Sequence, residues 1–274
     1  MPTALVTGTS SGLGLLTADR LARLGWTVLG TLRDPARAPA DIAWEPVALD
    51  LRDQASIAAL GALVDERFGA LDALVSNAGY GLLAPLEEVT IEELRDQLEV
   101  NLVGTLALCL ACLPALRLAK GVIVQVSSVS GLSADAGMGA YNASKFGLEG
   151  ASEALALELE PQGVRVVLVE PGPFRTDIAD KSPKASMRGR TGLYDDVWRE
   201  QDEFEDFIRT DAEDPQIAVD AIVAAAVVPG APFHLPVGKD TGGWVREHAE
   251  DVLADVDRAA AFLAEHRGLG LPPG

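Results

Sequence analysis

Short runs of β-branched and aliphatic residues alternate along this chain with longer segments of helical period, and that alternation limits its possible folds more than any other feature. Residues 3–7, 27–32, 47–49, 73–76, 122–127 and 164–169 read as strands. Most are apolar throughout, as strands covered on both faces must be. Between them, apolar positions at helical spacing predict helices at about 13–24, 54–68, 91–118 and 140–160. A helix near 215–228, a strand at 234–237 and a helix around 242–265 follow. This βαβ rhythm predicts an α/β fold, a Rossmann-like doubly wound parallel sheet with helices on both faces. No Pro- or Ser-rich linker, repeat or low-complexity tract divides the chain, so all 274 residues read as a single domain, 1–274.

The rhythm breaks after Val169. Residues 172–214 form a long polar segment dotted with Phe174, Ile178, Met187, Leu193, Tyr194, Trp198, Phe204 and Phe207. Apolar residues at that frequency predict an ordered lid at about 173–214 rather than disorder. The acids among them, Asp195, Asp196, Glu200, Asp202 and Glu203, read as a solvated face.

Lys and Arg total 22 against 41 Asp and Glu, a formal charge of −19. Such a surface repels phosphate backbones and anionic headgroups, so no nucleic acid and no membrane partner is expected. Cys109 and Cys112 cannot form a disulfide framework for a chain this long. Their C-x-x-C lies inside an apolar helix rather than at an exposed helix start, which favours packing over redox exchange. The longest apolar stretch, 102–116, falls short of the about 20 residues a bilayer span needs and contains Pro114. The N-terminus lacks a basic region followed by an apolar run, so a soluble cytoplasmic protein is expected. His234, His248 and His266 show no ligand spacing with Cys or carboxylates, and no metal site is expected. All three lie late in the chain, which speaks against reading the serines as a hydrolase site.

The first strand runs into Gly8, Ser10, Ser11, Gly12, Leu13 and Gly14, followed by a helix whose apolar positions begin at Leu15. Glycines there let backbone N–H groups approach an anion at the positive end of a helix. The spacing G-x-x-x-G-x-G, with its two serines, resembles the short-chain dehydrogenase/reductase family. Further matches follow in that family's order over almost the whole chain. Asp50 and Leu51 after the third strand resemble its adenine contact, and Asn77, Ala78 and Gly79 its N-A-G turn, preceded here by Ser76. Pro171, Gly172 and Thr176 resemble the stretch that closes over the nicotinamide. The resemblance implies a nicotinamide cofactor. At the end of the second strand, Leu32 stands where an acid would hold the ribose hydroxyls of NAD, and Arg33 follows it, able to pair with a 2′-phosphate. NADP is therefore expected ahead of NAD; the alternative gives Asp34 the ribose.

Tyr141 and Lys145 stand four residues apart, so on a helix they share one face. They fall where the family has its Y-x-x-x-K, and Ser128, thirteen residues before Tyr141, has the family spacing at the end of the fifth strand. Ser127, Ser130 and Ser133 crowd the same region without it. A free phenol, with a pKa of ~10, holds its proton too firmly for two-way transfer near neutrality. Lys145, with the positive nicotinamide when oxidised, is expected to favour the phenolate and lower that pKa. Tyr141 would be the acid in reduction and the base in oxidation, and Ser128 would hydrogen-bond the substrate oxygen. Asn101 resembles the family asparagine that organises a water in the proton relay.

Residues 31–34, 80–86 and 143–150 look closest to the branch that contains 17β-hydroxysteroid and retinol dehydrogenases. That resemblance implies a small apolar carbonyl or alcohol substrate. The helix at 102–118 is apolar nearly all round, so more than one face needs cover. The family resemblance, in which this helix and the one carrying Tyr141 pair across a subunit boundary, implies a homodimer or homotetramer. A non-catalytic NADP-binding sensor and an enzyme using transient oxidation are the competing readings. The complete Ser128, Tyr141 and Lys145 set speaks against the first.

Overall fold

In the computed structural model, which describes residues 1–183 and 185–265, seven strands form one parallel sheet. They are β1 (Thr3–Val6), β2 (Thr27–Leu32), β3 (Glu45–Ala48), β4 (Ala73–Ser76), β5 (Val122–Val126), β6 (Arg165–Pro171) and β7 (His234–Val237). The order β3-β2-β1-β4-β5-β6-β7 reverses between β1 and β4, which opens a crevice beyond the strand ends there. Pairing with β7, Glu170 beside Pro236 and Pro171 beside Val237, carries β6 two residues past its expected end.

Alternation along each strand divides the apolar residues between two cores. Ala4, Val6, Val75 and Val124 face a layer with Ala18 and Leu21 of α1 (Gly12–Arg23) and Val219 and Ile222 of α8 (Pro215–Val227). Leu5, Leu74 and Ile123 face the other, with Ile57 and Val64 of α2 (Gln54–Arg67), Leu108 and Leu116 of α4 (Thr105–Ala119) and Leu155 of α5 (Gly139–Leu159). Each such leucine, fully covered, contributes about 2 kcal/mol of burial free energy.

The helix expected at 91–118 proves to be three joined pieces: α3 (Ile91–Leu98), a π-helical segment Glu99–Gly104, and α4. A Thr90–Glu93 capping box starts it. Gly104 lets the widened turn approach the sheet, since a Cβ there would stand 2.1 Å from the Leu51 carbonyl oxygen. The combined helix Ile91–Ala119 has 29 residues and is long and apolar enough to cross a membrane by length and composition alone, unlike the 102–116 stretch. In the fold its Leu108, Cys109, Cys112, Leu113 and Leu116 are buried against α2 and β4.

The lid segment is more regular than its sequence suggests. It contains α6 (Ile178–Lys181) and the 16-residue α7 (Asp195–Thr210), which buries Trp198, Gln201 and Ile208. Dense charge on the opposite face masked that period. The two ends of the lid meet, Phe174 bridging Glu213 and the Arg175 N–H donating to the Glu213 carbonyl at 2.9 Å. A small core of Leu82, Ala84, Val89, Ala140, Ala185 and Trp198 lies beneath it. The last helix, α9 (Thr241–Glu265), follows β7 and borders the crevice; His266 lies outside the described residues.

Candidate active site

The turn after β1 is shaped by what cannot fit in it. A Cβ on Gly8, whose φ is +72°, would stand 2.9 Å from the Ala78 Cα, and one on Gly14 would fall 2.4 Å from the Gly8 carbonyl oxygen. Turn, helix α1 and the segment after β4 therefore pack backbone on backbone. Thr7 joins the two strand ends, its hydroxyl accepting from the N–H groups of Asn77 and Ala78, both at 2.9 Å. Ser11 is the N-cap of α1 yet makes no side-chain cap, and the first turn carries no acid. The leading N–H groups are left to an anion at the positive helix end. The cradle fits the pyrophosphate of a dinucleotide.

From this turn a cleft of about 1200 Å³ runs across the strand ends. Gly8, Ser10, Ser11, Gly12 and Leu13 line one end, Arg33, Asp50 and Leu51 one side, Asn77, Ala78 and Gly79 the floor, and Pro171, Gly172 and Thr176 the opposite wall. Ser128, Tyr141 and Lys145 stand in the middle. Two expected residues do not line it. Gly14 sits in the packing beneath the turn. Asn101 is buried in the π-helical segment, where its amide donates to the Tyr80 carbonyl at 2.8 Å and to the Ser144 hydroxyl at 3.2 Å while accepting from the Tyr80 N–H at 3.1 Å. Its visible work is to hold the turn after β4 against α5.

On the adenosine side, Leu32 is buried and Arg33 is an exposed part of the cleft wall. Asp34 turns away to cap the short helix Pro35–Arg37, accepting from the Ala36 N–H at 3.0 Å. Beyond Asp50, Arg52 grips Asp96 through two bonds of 2.6 and 2.7 Å, and Asp96 also accepts from the Tyr80 hydroxyl at 2.6 Å. This cluster was not expected; its members come from three separate segments.

Ser128 caps the helical turn Val129–Gly131, accepting from the Ser130 N–H at 3.2 Å. Asn142, beside Tyr141 on α5, donates to the carbonyls of Ser130 at 2.8 Å and Ser133 at 3.1 Å, which fixes that turn against the helix. The Lys145 ammonium is buried, 5.8 Å from the Tyr141 ring centre, and donates to the Val126 carbonyl at 2.9 Å. Burial brings its pKa down to about 8, against the opposing pull of Glu149. For Tyr141, burial raises the pKa, with Ser128 opposing. The expected lowering by Lys145 is thus not what the protein's own groups produce. The ammonium points at a backbone carbonyl, and desolvation of the phenolate dominates.

Where α7 and α9 line the cleft its walls are mixed, with Phe204, Ile208 and Trp244 beside Glu205, Glu247 and Asp251, while Leu83, Met138 and Ile178 add apolar surface. Glu200, expected on a solvated face, also borders it, whereas Asp196 and Asp202 are paired outside with Arg199 and Arg188. Residues 189–198 are tethered by Glu88, which is fully buried in the short helical turn Leu86–Glu88. Its carboxylate accepts from the Thr191 hydroxyl at 2.7 Å, the Thr191 and Gly189 N–H groups at 2.8 and 2.7 Å, and the Trp198 indole at 2.6 Å. Those donors, Thr191 first, hold its pKa down at about 2.

Behind Lys145 the fold assembles a group that spacing along the chain concealed. Glu149, Glu170 and His234 lie with one ligand atom each within 4.8 Å of one another, so the histidine does meet carboxylates. The sequence signals were an acid directly after the expected strand 164–169, Glu170, and another one helical turn after Lys145, Glu149. Cys109 and Cys112 are both buried, and burial raises their pKa values to about 11 and 12, which keeps them as thiols.

The family model described as short chain dehydrogenase matches residues 2–186. The chain is 38% identical to the 3-ketodihydrosphingosine reductase of Bacteroides thetaiotaomicron over 194 residues, 70% of this chain and 71% of that one. It is 41% identical to human 17-beta-hydroxysteroid dehydrogenase type 1 over 194 residues, 65% of this chain and 58% of the human one. A solved structure of a short chain dehydrogenase from Burkholderia cenocepacia, in complex with NADP, superposes with a TM-score of 0.73 at 26% identity, covering 96% of this chain and 97% of that one.

Proposed function

The chain belongs to the short-chain dehydrogenase family, and from that premise we propose that it is an NADP-dependent oxidoreductase interconverting an apolar ketone or aldehyde with its alcohol. The observation that supports the reading is that Ser128, Tyr141 and Lys145 line the same cleft as the glycine-rich turn and several apolar side chains. When bound, the nicotinamide cofactor supplies or accepts the hydride. Tyr141, kept as a phenol by burial, gives its proton to the substrate oxygen in reduction. Ser128 orients that oxygen and stabilises its developing charge. Lys145 holds positive charge behind the phenol and helps anchor the cofactor. Those apolar side chains, together with the keto-lipid and steroid relatives, support a bulky apolar substrate. Oxidation of NADPH with a panel of apolar ketones tests this; absence of turnover on all of them would favour the sensor reading.

NADP is supported by Arg33 on the cleft wall and by Asp34 being engaged in its own cap. Arg33→Ala is expected to weaken NADP about tenfold or more, as loss of a charge-assisted phosphate contact does, and to leave NAD nearly unchanged. Calorimetric titration of both nucleotides checks it, and an unchanged preference would contradict the phosphate role. A remote acid neutralised in parallel is expected to change NADP affinity far less.

Leu110 and Leu118 of α4 and Phe146 and Leu157 of α5 are 58%, 76%, 42% and 69% exposed, apolar surface that suits a homodimer or homotetramer. Light scattering is expected to give at least twice the 28.7 kDa chain mass, and a monomeric mass would end the proposal. The buried thiols fit a reducing compartment such as the cytoplasm.

A further inference from the structure

We propose that Glu149, Glu170 and His234 form a proton outlet that connects Lys145, and through it Tyr141, to solvent on the β7 side of the sheet. The inference rests on the oxidoreductase reading above and adds a path for the proton which that chemistry consumes or releases.

Strand alternation sets the geometry. Val166 faces the core beneath α5, so Leu168 and Glu170 on β6 do as well. His234 pairs beside Leu168 at the start of β7, which places its ring next to Glu170. The His234 Nδ1 lies 2.7 Å from Glu170 Oε1 and 3.8 Å from Glu149 Oε2. Glu149 follows Lys145 by one helical turn on the same face of α5, and the two interact electrostatically. Burial falls along the series. Lys145, Glu149 and Glu170 are 6%, 7% and 0% exposed, whereas the His234 side chain is 48% exposed. Titratable groups therefore follow one another from the cleft to water, Glu149 one helical turn from Lys145 and 3.8 Å from His234, so that small side-chain movements close the path.

Chemistry favours transfer over a static role. Neither oxygen of Glu149 and only one of Glu170 has a hydrogen-bond partner, an arrangement costly for two fixed carboxylates. The groups acting on Glu149 are Glu170, His234 and Lys145, with the Ser127 hydroxyl beside it. Burial first, then Glu170, raises Glu149 to about 7, and burial raises Glu170 to about 8, so this pair exchanges protons near neutrality. In reduction, Tyr141 gives one proton to the substrate oxygen, and the Lys145 ammonium, turning from the Val126 carbonyl towards the phenolate, replaces it. The Lys145 amine takes one from the Glu149 carboxyl, Glu149 takes one from the His234 imidazolium, and His234 takes one from water. Glu170 orients the imidazole. Oxidation runs the same transfers in reverse.

His234→Ala, Glu149→Gln and Glu170→Gln test the outlet. Expected for His234→Ala is a fall in kcat of about tenfold, with KM unchanged and rate restored by added imidazole, since the cavity opens to solvent. Glu149→Gln is expected to move the alkaline limb of the rate profile to lower pH, because the carboxylate no longer supports the ammonium. Unchanged kcat and superimposable profiles would overturn the proposal. Inactive wild-type protein would remove the oxidoreductase reading instead, and the exchange rate of the His234 ring N–H proton with water, read by NMR, would then decide the outlet without turnover. It is expected to change by at least about twofold in both Gln variants, and unchanged exchange overturns the proposal. The same outcome follows if wild-type protein binds one equivalent of Zn²⁺ and His234→Ala does not, since that makes the cluster a metal site.

Discussion

Tyr141→Phe is expected to lower kcat for ketone reduction by about 10³ or more while leaving NADPH affinity within about threefold, because general acid catalysis of this kind is worth ~10²–10⁴. The substitution removes one oxygen and keeps the ring in place on α5. Ser128 can still donate to the substrate oxygen, so binding survives and only the proton donor is lost. In the wild type, the reduction rate is expected to hold near neutrality and to fall as pH rises through about 8, where buried Lys145 gives up its proton. Lys145→Met removes that limb at a uniformly low rate. Stopped-flow measurement of hydride transfer, with nucleotide binding measured separately, distinguishes the cases. A Phe variant within tenfold of wild type would end the assignment of Tyr141 as the acid.

Glu88→Ala is expected to raise KM for the apolar substrate by about tenfold or more, with a smaller effect on kcat and on NADPH affinity. One carboxylate receives four donors from the lid, including the indole that helps form the small core beneath it. Its loss leaves those donors without an acceptor and unties residues 189–198 from the rest of the domain. Limited proteolysis within residues 181–194 is expected to accelerate in step with KM, and unchanged cleavage would show that the tether does not hold the lid. The pH dependence has a definite sign. The folded pKa is depressed to about 2 from the ordinary 4.5, so the tether contributes fully above the ordinary value and is lost as pH falls towards 2. Acid release of the lid is therefore expected only well below pH 4.5.

Glu149 and Glu170 behave in the opposite way. Their folded pKa values are raised, so the stability that comes from keeping them neutral is present below pH 4.5 and lost as pH rises through about 7 and about 8. A thermal midpoint that declines from mild acid to pH 8, and declines less in Glu170→Gln, is the expected calorimetric result.

The two-faced sheet was legible in the chain because strand and helix write local periods into the sequence. The glycine turn and the Tyr141 and Lys145 pair were legible for a related reason, each being a short spacing on one element. The amphipathic α7 was not, since its buried Trp198, Gln201 and Ile208 are too sparse among the acids to show a period. Asn101 was assigned a place in the proton relay by resemblance, while the fold shows it bracing Tyr80 from inside a π-helical turn that no pattern announced.

By itself, then, the sequence determined the architecture, and it pointed to the glycine turn and to the Tyr141 and Lys145 pair, each a short spacing on one element. Tertiary structure alone decided the rest. Glu88 meets Trp198 across 110 positions, and Glu170 meets His234 across 64. Such pairs carry no spacing signal, because what joins them is the parallel register of β6 with β7 and the return of the lid over the strand ends. Burial then changes their chemistry, and how deeply a carboxylate is buried is settled only when the whole chain has packed around it.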